Sequence, residues 1–484
     1  MKKFFVTNLL FILTLNILIK SFWLLGVDRE VQNVLSAADY GIYYALLNFT
    51  YLFNIILDLG ITQFNNRTIA QNSILLKKYF AKIIPLKIFL AGVYAIVLII
   101  TAKLTAYDSF SLFLLRWLCI FQILTSLLTY LRSNISALML FKIDSLLSVL
   151  DKSITILLCS LLLWTPLLKN NITIEQFIYV QVFSMGISSL IALIICLGKT
   201  GFIRLDWDWK FMVKVLKFGF PYALLTLLMS FYNRMDTVMI ERILPDGDVQ
   251  SGIYASGFRL VDSVNMIAYL FSVILLPLFA KMIKEKKDIK QIVSISFQLL
   301  LFMGVSFVVI SMIYSDEFMN LLYNKHIKES SEVYRVLSFC FIPISMTYVF
   351  GTLLTANGSL KKLNIVAASG MIVNIVVNLV LIPNYKALGS AYSALTAQTF
   401  TALLQIIIAL KLFGIHLSWR YCTKIILFIM LIYISAILIG KINILWYYKV
   451  IISLPIFVII SFVCKIFSIV KMKNYALEII KSKK

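Results

Sequence analysis

Residues Phe218 to Met282 read FGFPYALLTLLMSFYNRMDTVMIERILPDGDVQSGIYASGFRLVDSVNMIAYLFSVILLPLFAKM, and this stretch decides the fold class. Two helical segments of membrane length flank a short acidic loop holding Asp246 and Asp248. Each segment carries ionised residues that a lipid-facing helix excludes: Arg234 and Asp236 in the first, Arg259 and Asp262 in the second. A charge at mid-bilayer costs about 2.5–3.5 kcal/mol on insertion scales, so such residues turn to a polar interior and mark a transport path. Arg234 and Asp236 stand near the outer end of their segment, where snorkelling to the interface is the competing reading. Arg259 and Asp262 are one turn apart, share a face, and read as buried within a bundle, as path residues or as a structural ion pair.

The composition agrees with that reading. Of 484 residues, 61% are hydrophobic and 14% charged, and mean hydropathy is +0.94. Soluble domains carry about 25% charged residues, so the class is an all-α polytopic membrane protein. At about 20 apolar residues per span, the length holds twelve to fourteen helices and no sizeable extramembrane domain. The net charge of +23 lies mainly in loops between apolar runs, which excludes nucleic acid as a partner and points to topology and anionic headgroups. Six cysteines without CxxC spacing read as small core residues, and two distant histidines, His326 and His416, make no metal site. The N-terminal MKKFFVTNLLFILTLNILIK lacks a small-x-small cleavage site and reads as a retained first helix.

Hydropathy predicts fourteen spans, near 4–25, 41–63, 83–102, 110–131, 145–166, 176–197, 212–234, 252–278, 291–314, 335–356, 363–382, 388–410, 422–440 and 446–466. Alternate loops are rich in Lys and Arg, as in the 281–290 segment, so both termini are expected in the cytoplasm. A weak internal repeat accompanies this count. Asp39 to Phe53, DYGIYYALLNFTYLF, echoes Gln250 to Val264, QSGIYASGFRLVDSV, each opening an apolar helix with Gly-Ile-Tyr. The fifth spans of the two halves each follow a basic inner loop. We therefore expect two pseudo-symmetric six-helix bundles, 1–198 and 199–414, with two extra helices and a basic tail in 415–484.

Several stretches resemble one family. They are DLGITQFNNRTIAQN (Asp58 to Asn72), YGIYYA at the start of span 2, the Asp-bearing end of span 7, LLPLFAKM closing span 8, and IPNYKALGSAYSALTAQ (Ile382 to Gln398). Together with fourteen spans they resemble polysaccharide flippases of the multidrug/oligosaccharidyl-lipid/polysaccharide exporter superfamily, especially the Wzx-type O-antigen or capsule repeat-unit transporters. The resemblance covers nearly the whole chain. One departure is Tyr385-Lys386, where the family often has Tyr-Gly. The resemblance implies a flippase that moves undecaprenyl-pyrophosphate-linked oligosaccharide between leaflets of the bacterial cytoplasmic membrane, with polymerase and glycosyltransferases of the same pathway as partners. Related peptidoglycan-precursor flippases line their cavity with cations in spans 1, 2 and 8. Lys20 and Arg259 correspond to the first and last, while span 2 offers only Asp58.

Such a substrate needs a wet cationic cleft for its pyrophosphate, which Lys and Arg serve by charge-assisted hydrogen bonds. The substrate-binding candidates are Lys20, Arg234, Arg259, Asp262, Asn374 and Asn378; candidate ion-coupling acids are Asp58, Asp144 and Asp236. Lys20 shares a face with Asn16, and cavity and headgroup readings both stand for it. Asn374 and Asn378, an i,i+4 pair, line the cleft or bond neighbouring helices. Lys87 and Arg116 are expected at the nearest interface, as is Arg335. Asp206-Trp207-Asp208 mimics a metal-binding DxD but reads as a helix cap, and Gly198-Lys199-Thr200 lacks the leading glycine of a phosphate loop. No nucleophile with a base, nucleotide loop or metal cluster is recognisable, so neither enzymatic activity nor a cofactor is expected. The rival readings are a cation-coupled drug exporter of the same superfamily, and a membrane polysaccharide polymerase or glycosyltransferase.

Overall fold

The computed structural model describes residues 15–16, 18–164, 172–201, 204–415, 419–464 and 466. Among them every regular element is a helix. Most of the predicted first span, 4–14 and 17, lies outside the described residues. Its outer part continues from Lys20 through a wide π-helical turn, Trp23–Asp28, into α1 (Arg29–Val34).

Helix starts follow local chemistry. Ser36 Oγ accepts from Asp39 N at 3.0 Å and caps α2 (Ala37–Leu52). That helix tightens into a 3₁₀ turn, Asn54–Leu57, before Leu59 and Gly60 swing to positive φ and α3 (Ile61–Gln71) begins. After α4 (Leu76–Leu104), the Asp108 carboxylate accepts from Phe110 and Ser111 amides and opens α5 (Ser109–Ala137). α6 (Phe141–Trp164) follows, and Thr173 with Gln176 forms a capping box on α7 (Ile174–Thr200). α8 (Trp209–Ile243) is capped by Asp208, whose Oδ1 accepts from Phe211 N at 3.0 Å. The Asp206-Trp207-Asp208 motif is thus a cap, also clamped by Lys82 Nζ at 3.3 and 2.5 Å from its two carboxylates.

The second half contains α9 (Gly247–Lys284), α10 (Lys290–Leu322), α11 (Ile327–Phe339), α12 (Phe341–Met346), a π-helical turn Thr347–Gly351, and α13 (Thr352–Ala356). Then come α14 (Leu360–Phe413), α15 (Trp419–Gly440) and α16 (Trp446–Val463). Ten helical runs among the described residues are long and apolar enough to cross a membrane, with α11 to α13 forming one of them. The predicted spans 11 and 12 do not separate into helices with a loop between. They form the 54-residue α14, broken by a single residue, Lys386, at φ 53° and ψ −134°. Gly389 makes this sharp turn possible, because a Cβ there would press on the Leu381 carbonyl.

Rows of large apolar side chains face outward, for example Ile88, Ile96 and Ile100 on α4 and Ile372, Val376, Leu379 and Val380 on α14. Apolar stripes of this length in contact with water would aggregate; in hydrocarbon they are the ordinary exterior, with all backbone polar groups satisfied inside helices.

Two compact units emerge. The first comprises Met1–Arg259, Leu322–His326 and Leu360–Ala394; the second comprises Leu260–Leu321, Ile327–Ser359 and Leu395–Lys484. In the first, α5 packs along α7 and α2 along α8. Its core holds Tyr40, Tyr43, Tyr94, Tyr130 and Phe177, all nearly inaccessible. In the second, α15 packs on α16, and Trp446 meets Phe318 edge-on at 5.1 Å.

The repeat seen in the sequence has a spatial counterpart within the first unit. Gly41 of α2 and Gly252 of α9 begin the two Gly-Ile-Tyr copies, and they face each other. A Cβ on Gly41 would stand 2.8 Å from Gly252 N and inside the Asp248 carbonyl; one on Gly252 would strike the Ala37 carbonyl. Only glycine lets two helix backbones approach so closely.

Candidate functional site

α8 carries Asp236 into the first unit's interior, where it is 3% exposed. Three side chains donate to it. Asn374 Nδ2 and Asn378 Nδ2 reach Oδ1 at 2.9 and 2.8 Å, and the Tyr254 hydroxyl reaches Oδ2 at 3.0 Å. The asparagines meet the same oxygen because i,i+4 residues share a helix face. Asn378 also donates to Asn374 Oδ1 at 3.2 Å, and Ser393 Oγ, beyond the Lys386 turn, donates to the Asn374 carbonyl at 2.9 Å. Among the described residues no Lys or Arg pairs with Asp236. Burial penalises the ionised carboxylate while its three neutral donors favour it, an arrangement in which a proton or a small cation can be gained or lost.

Two residues earlier on α8, and so on another face of the helix, Arg234 Nη1 donates to Asn48 Oδ1 at 3.2 Å and its guanidinium lies 4.9 Å from the Tyr51 ring. Asn48 in turn donates to Thr237 Oγ1 at 2.9 Å. Arg234 thus packs against α2, while Asp236 meets α9 and α14.

Arg259 is paired with a residue that the sequence places in a loop. Its Nε lies 3.0 Å from Asp28 Oδ2, its Nη2 donates to the Tyr40 hydroxyl at 3.0 Å, and its guanidinium lies 4.9 Å from the Tyr44 ring. Tyr40 donates to the same Asp28 oxygen at 2.9 Å, closing a triad whose carboxylate is 1% exposed. Gln32, one turn after Asp28, donates to Ser256 Oγ at 2.7 Å, one turn before Arg259. Asp262 is not brought to this triad; it is half-buried in the second unit, where its charge acts on Tyr348. Sequence reasoning missed Asp28 and Tyr40. The available signal was the i,i+4 pair Asp28 and Gln32 on the helical continuation of span 1.

The remaining acids are neutralised locally. Asp58 Oδ1 accepts from Lys87 Nζ at 2.7 Å, and Lys87 also donates to the Leu57 carbonyl at 2.9 Å and Ser126 Oγ at 3.0 Å. Lys87 is 6% exposed, so the expected interfacial placement is corrected: the break after α2 leaves the Leu57 carbonyl unpaired, and Lys87 fills it. Arg116 is exposed, and Arg335 bonds Ser315 at 2.8 Å beside Asp316. Asp144 pairs with Arg132 Nε at 2.8 Å, and Asp151 lies 3.6 Å from Lys152 Nζ. Lys20 is half-buried, with the charges of Arg132, Asp151 and Lys152 acting on it. Of the three acids considered for ion coupling, Asp236 alone lacks a cationic partner among the described residues. No group of three or more His, Cys, Asp or Glu side chains among those residues is arranged to hold a metal.

A family model described as "Polysaccharide biosynthesis protein" matches residues 6–283, and one described as "MatE" matches residues 221–380. No curated protein sequence matches the chain. Among solved structures, the fold is similar to the "Lipid II flippase MurJ, inward closed conformation", with a TM-score of 0.72 at 13% identity over 93% of this chain and 97% of that one. It is also similar to an inward-facing multidrug resistance MATE family transporter, with a TM-score of 0.65 at 11% identity over 81% of this chain and 94% of that one. A MOP superfamily transporter from Pyrococcus furiosus gives a TM-score of 0.58 at 11% identity over 84% and 95%. The "Polysaccharide biosynthesis protein" model spans more than half of the sequence, and the fold is that of a membrane transporter along nearly the whole length: the chain is a multi-pass membrane protein belonging to the polysaccharide biosynthesis protein family.

Proposed function

We propose that the protein is a flippase that translocates undecaprenyl-pyrophosphate-linked oligosaccharide repeat units across the bacterial cytoplasmic membrane by alternating access, for O-antigen or capsule assembly. The family match over residues 6–283 carries this reading, and the half-buried cations Arg234 and Arg259 support it. Both termini face the cytoplasm in this proposal, and the bundles 1–198 and 199–414 rock while the last two helices follow. A pyrophosphate brings negative charge into the membrane, so guanidinium and ammonium groups lower the cost of its passage. Asp236 is the ion-coupling group: its amide-lined surroundings, in which no described Lys or Arg pairs with it, suit a proton or a monovalent cation whose binding changes the charge of the site. Asn374 and Asn378 then belong to the coupling site rather than to the glycan path. Transport, not chemistry on the sugar, is the activity.

Deletion of the gene in its native host tests this. Loss of surface polysaccharide, with lipid-linked repeat units accumulating on the cytoplasmic leaflet, is the expected result. Intact polysaccharide with increased drug sensitivity would instead support a cation-coupled drug exporter, the reading favoured by the "MatE" match over residues 221–380.

A further inference from the structure

Residues Leu322–His326, which lead from α10 into α11, belong to the first unit. They lie against α1, at the end that faces away from the cytoplasm in the proposed topology. Asn33 of α1 grips this segment with both halves of its amide. Its Nδ2 donates to the Leu322 carbonyl at 2.9 Å, and its Oδ1 accepts from Asn324 N at 3.2 Å. A side-chain amide that fills a backbone acceptor and a backbone donor in this way imitates one rung of a β-ladder. Lys325 Nζ then reaches the Leu35 carbonyl at 3.3 Å, just past α1, where a helix leaves carbonyls without an amide partner.

The same segment is tied to α9. The Tyr323 hydroxyl donates to the Ser256 carbonyl at 3.3 Å. Gln32, next to Asn33, donates to the Gly252 carbonyl at 3.1 Å and to Ser256 Oγ at 2.7 Å. α1, α9 and residues 322–326 thus hold one another pairwise. Tyr323 is 5% exposed, and the charges of Asp28 and Arg259 act on its hydroxyl. It therefore stands beside the triad of Asp28, Arg259 and Tyr40 and covers it from this end.

This bonding is of a kind that opens readily. Its contacts join neutral amides, a hydroxyl or an ammonium to backbone groups, and Asn324, Lys325 and His326 are exposed, so water replaces what a break removes. His326 stands at φ 49°, a left-handed conformation in which histidine is enriched, and the chain turns there into α11. α1 belongs to the half 1–198, whereas residues 322–326 and α9 belong to 199–414. In the proposed cycle these halves rock, so parting them at this end requires Asn33 to let go.

We infer that residues 322–326 are a strap that closes the outer end of the path, and that Asn33 is the positioning residue that seats it. Asn33 touches no cargo. It holds Tyr323 across the approach to Arg259, and the strap lifts when the head group leaves. The inference rests on the flippase reading and adds to it the contact that is broken when the path opens outward.

The test combines Asn33→Cys with Asn324→Cys in the full-length protein, reconstituted into vesicles with a labelled undecaprenyl-pyrophosphate oligosaccharide. A short bifunctional thiosulfonate should join the two positions and slow translocation by about ten-fold or more, and a reductant should restore it. The same treatment should leave each single-cysteine variant at the rate it had before treatment. Failure to cross-link, or an unchanged rate in cross-linked protein, would overturn the strap. Opening is read separately and without cargo. In right-side-out membranes Ser256→Cys should react slowly with an impermeant maleimide, and several-fold faster once Asn33→Ala frees the strap; equal rates would also overturn it. Should Asn33→Ala fail to fold, Lys325→Ala, which loosens the far end of the strap, takes its place with the same expected increase. Faster labelling in a protein that moves no glycan would keep the strap and sink the flippase reading. Translocation that ignores the cross-link would do the reverse.

Discussion

Asp28 and Asp236 are both almost fully buried carboxylates, and their partners separate their roles. Asp28 meets a guanidinium, so its charge is compensated in place. Removing one member of a buried ion pair strands the other, at a cost of about 3–5 kcal/mol. Arg259→Gln should therefore lower thermal stability sharply, and the double variant Arg259→Gln with Asp28→Asn should recover most of it. If the double variant is stable yet exports no polysaccharide, Arg259 acts on substrate as well as on structure; full export by it would confine Arg259 to a structural role. Among the described residues Asp236 has amide and hydroxyl donors alone, and Asp236→Asn preserves the shape of the group while removing its ionisation. Its expected phenotype is a folded protein whose transport no longer responds to a proton or sodium gradient; gradient-driven transport at the normal rate would exclude Asp236 from coupling. These positions were legible because an acid or an arginine within an apolar run has few innocent explanations. Their partners were not: Asp28 lies 231 positions from Arg259, and Asn374 lies 138 from Asp236, separations that no helical periodicity reports.

Helices and turns give three further expectations. The Gly-Ile-Tyr echo was visible as a repeat, but that its two glycines touch was not, because a sequence repeat says nothing about which copies pack. A side chain at Gly41 or Gly252 cannot be accommodated with the α2 and α9 backbones this close. Gly252→Val should weaken the contact. Cysteines introduced at Ala37 and Ser251 should then cross-link less efficiently than in an otherwise native background, and equal cross-linking would mean the approach is not tight. At the break in α14, Lys386 holds a backbone conformation natural to glycine, at the position where the resembling family often has one. Lys386→Gly should be more stable than Lys386→Ala by about 1 kcal/mol, both having lost the same side chain; equal melting temperatures would show the turn to be unstrained. Lys386 also bonds Asp246 at 2.7 Å, just ahead of α9, which holds the Asp246 carboxyl below the usual carboxylate range, with Gln250 assisting. A depressed pKa stabilises the fold above the ordinary carboxylate value, about 4, and that contribution disappears as pH falls through the folded value. Wild type should thus melt slightly above Asp246→Asn at pH 7, by no more than about 1 kcal/mol for so exposed a pair, with the difference vanishing toward acid. A gap that widens on acidification would contradict the assignment.

At the scale of the whole molecule, hydropathy and loop charge sufficed for the all-helical membrane class, because a bilayer admits few ways to satisfy a backbone. Where one helix runs into the next through a single residue, as at Lys386, composition shows only a change of polarity. Among the described residues, cations and acids stand mostly in local pairs, and Arg234, bonded to Asn48, is a cation within the first unit that meets an amide rather than an acid. A transporter of phosphorylated lipid requires such cations, since a wholly neutral interior would have nothing with which to meet its cargo. The most direct measurement is therefore translocation itself. Purified protein would be reconstituted into vesicles whose inner leaflet carries a fluorescent undecaprenyl-pyrophosphate oligosaccharide, with an impermeant quencher outside. The account predicts protein-dependent quenching as the lipid emerges, accelerated by an ion gradient and lost in Arg234→Gln; fluorescence that stays protected in protein-containing vesicles, or an oligosaccharide that grows longer without changing leaflet, would contradict it.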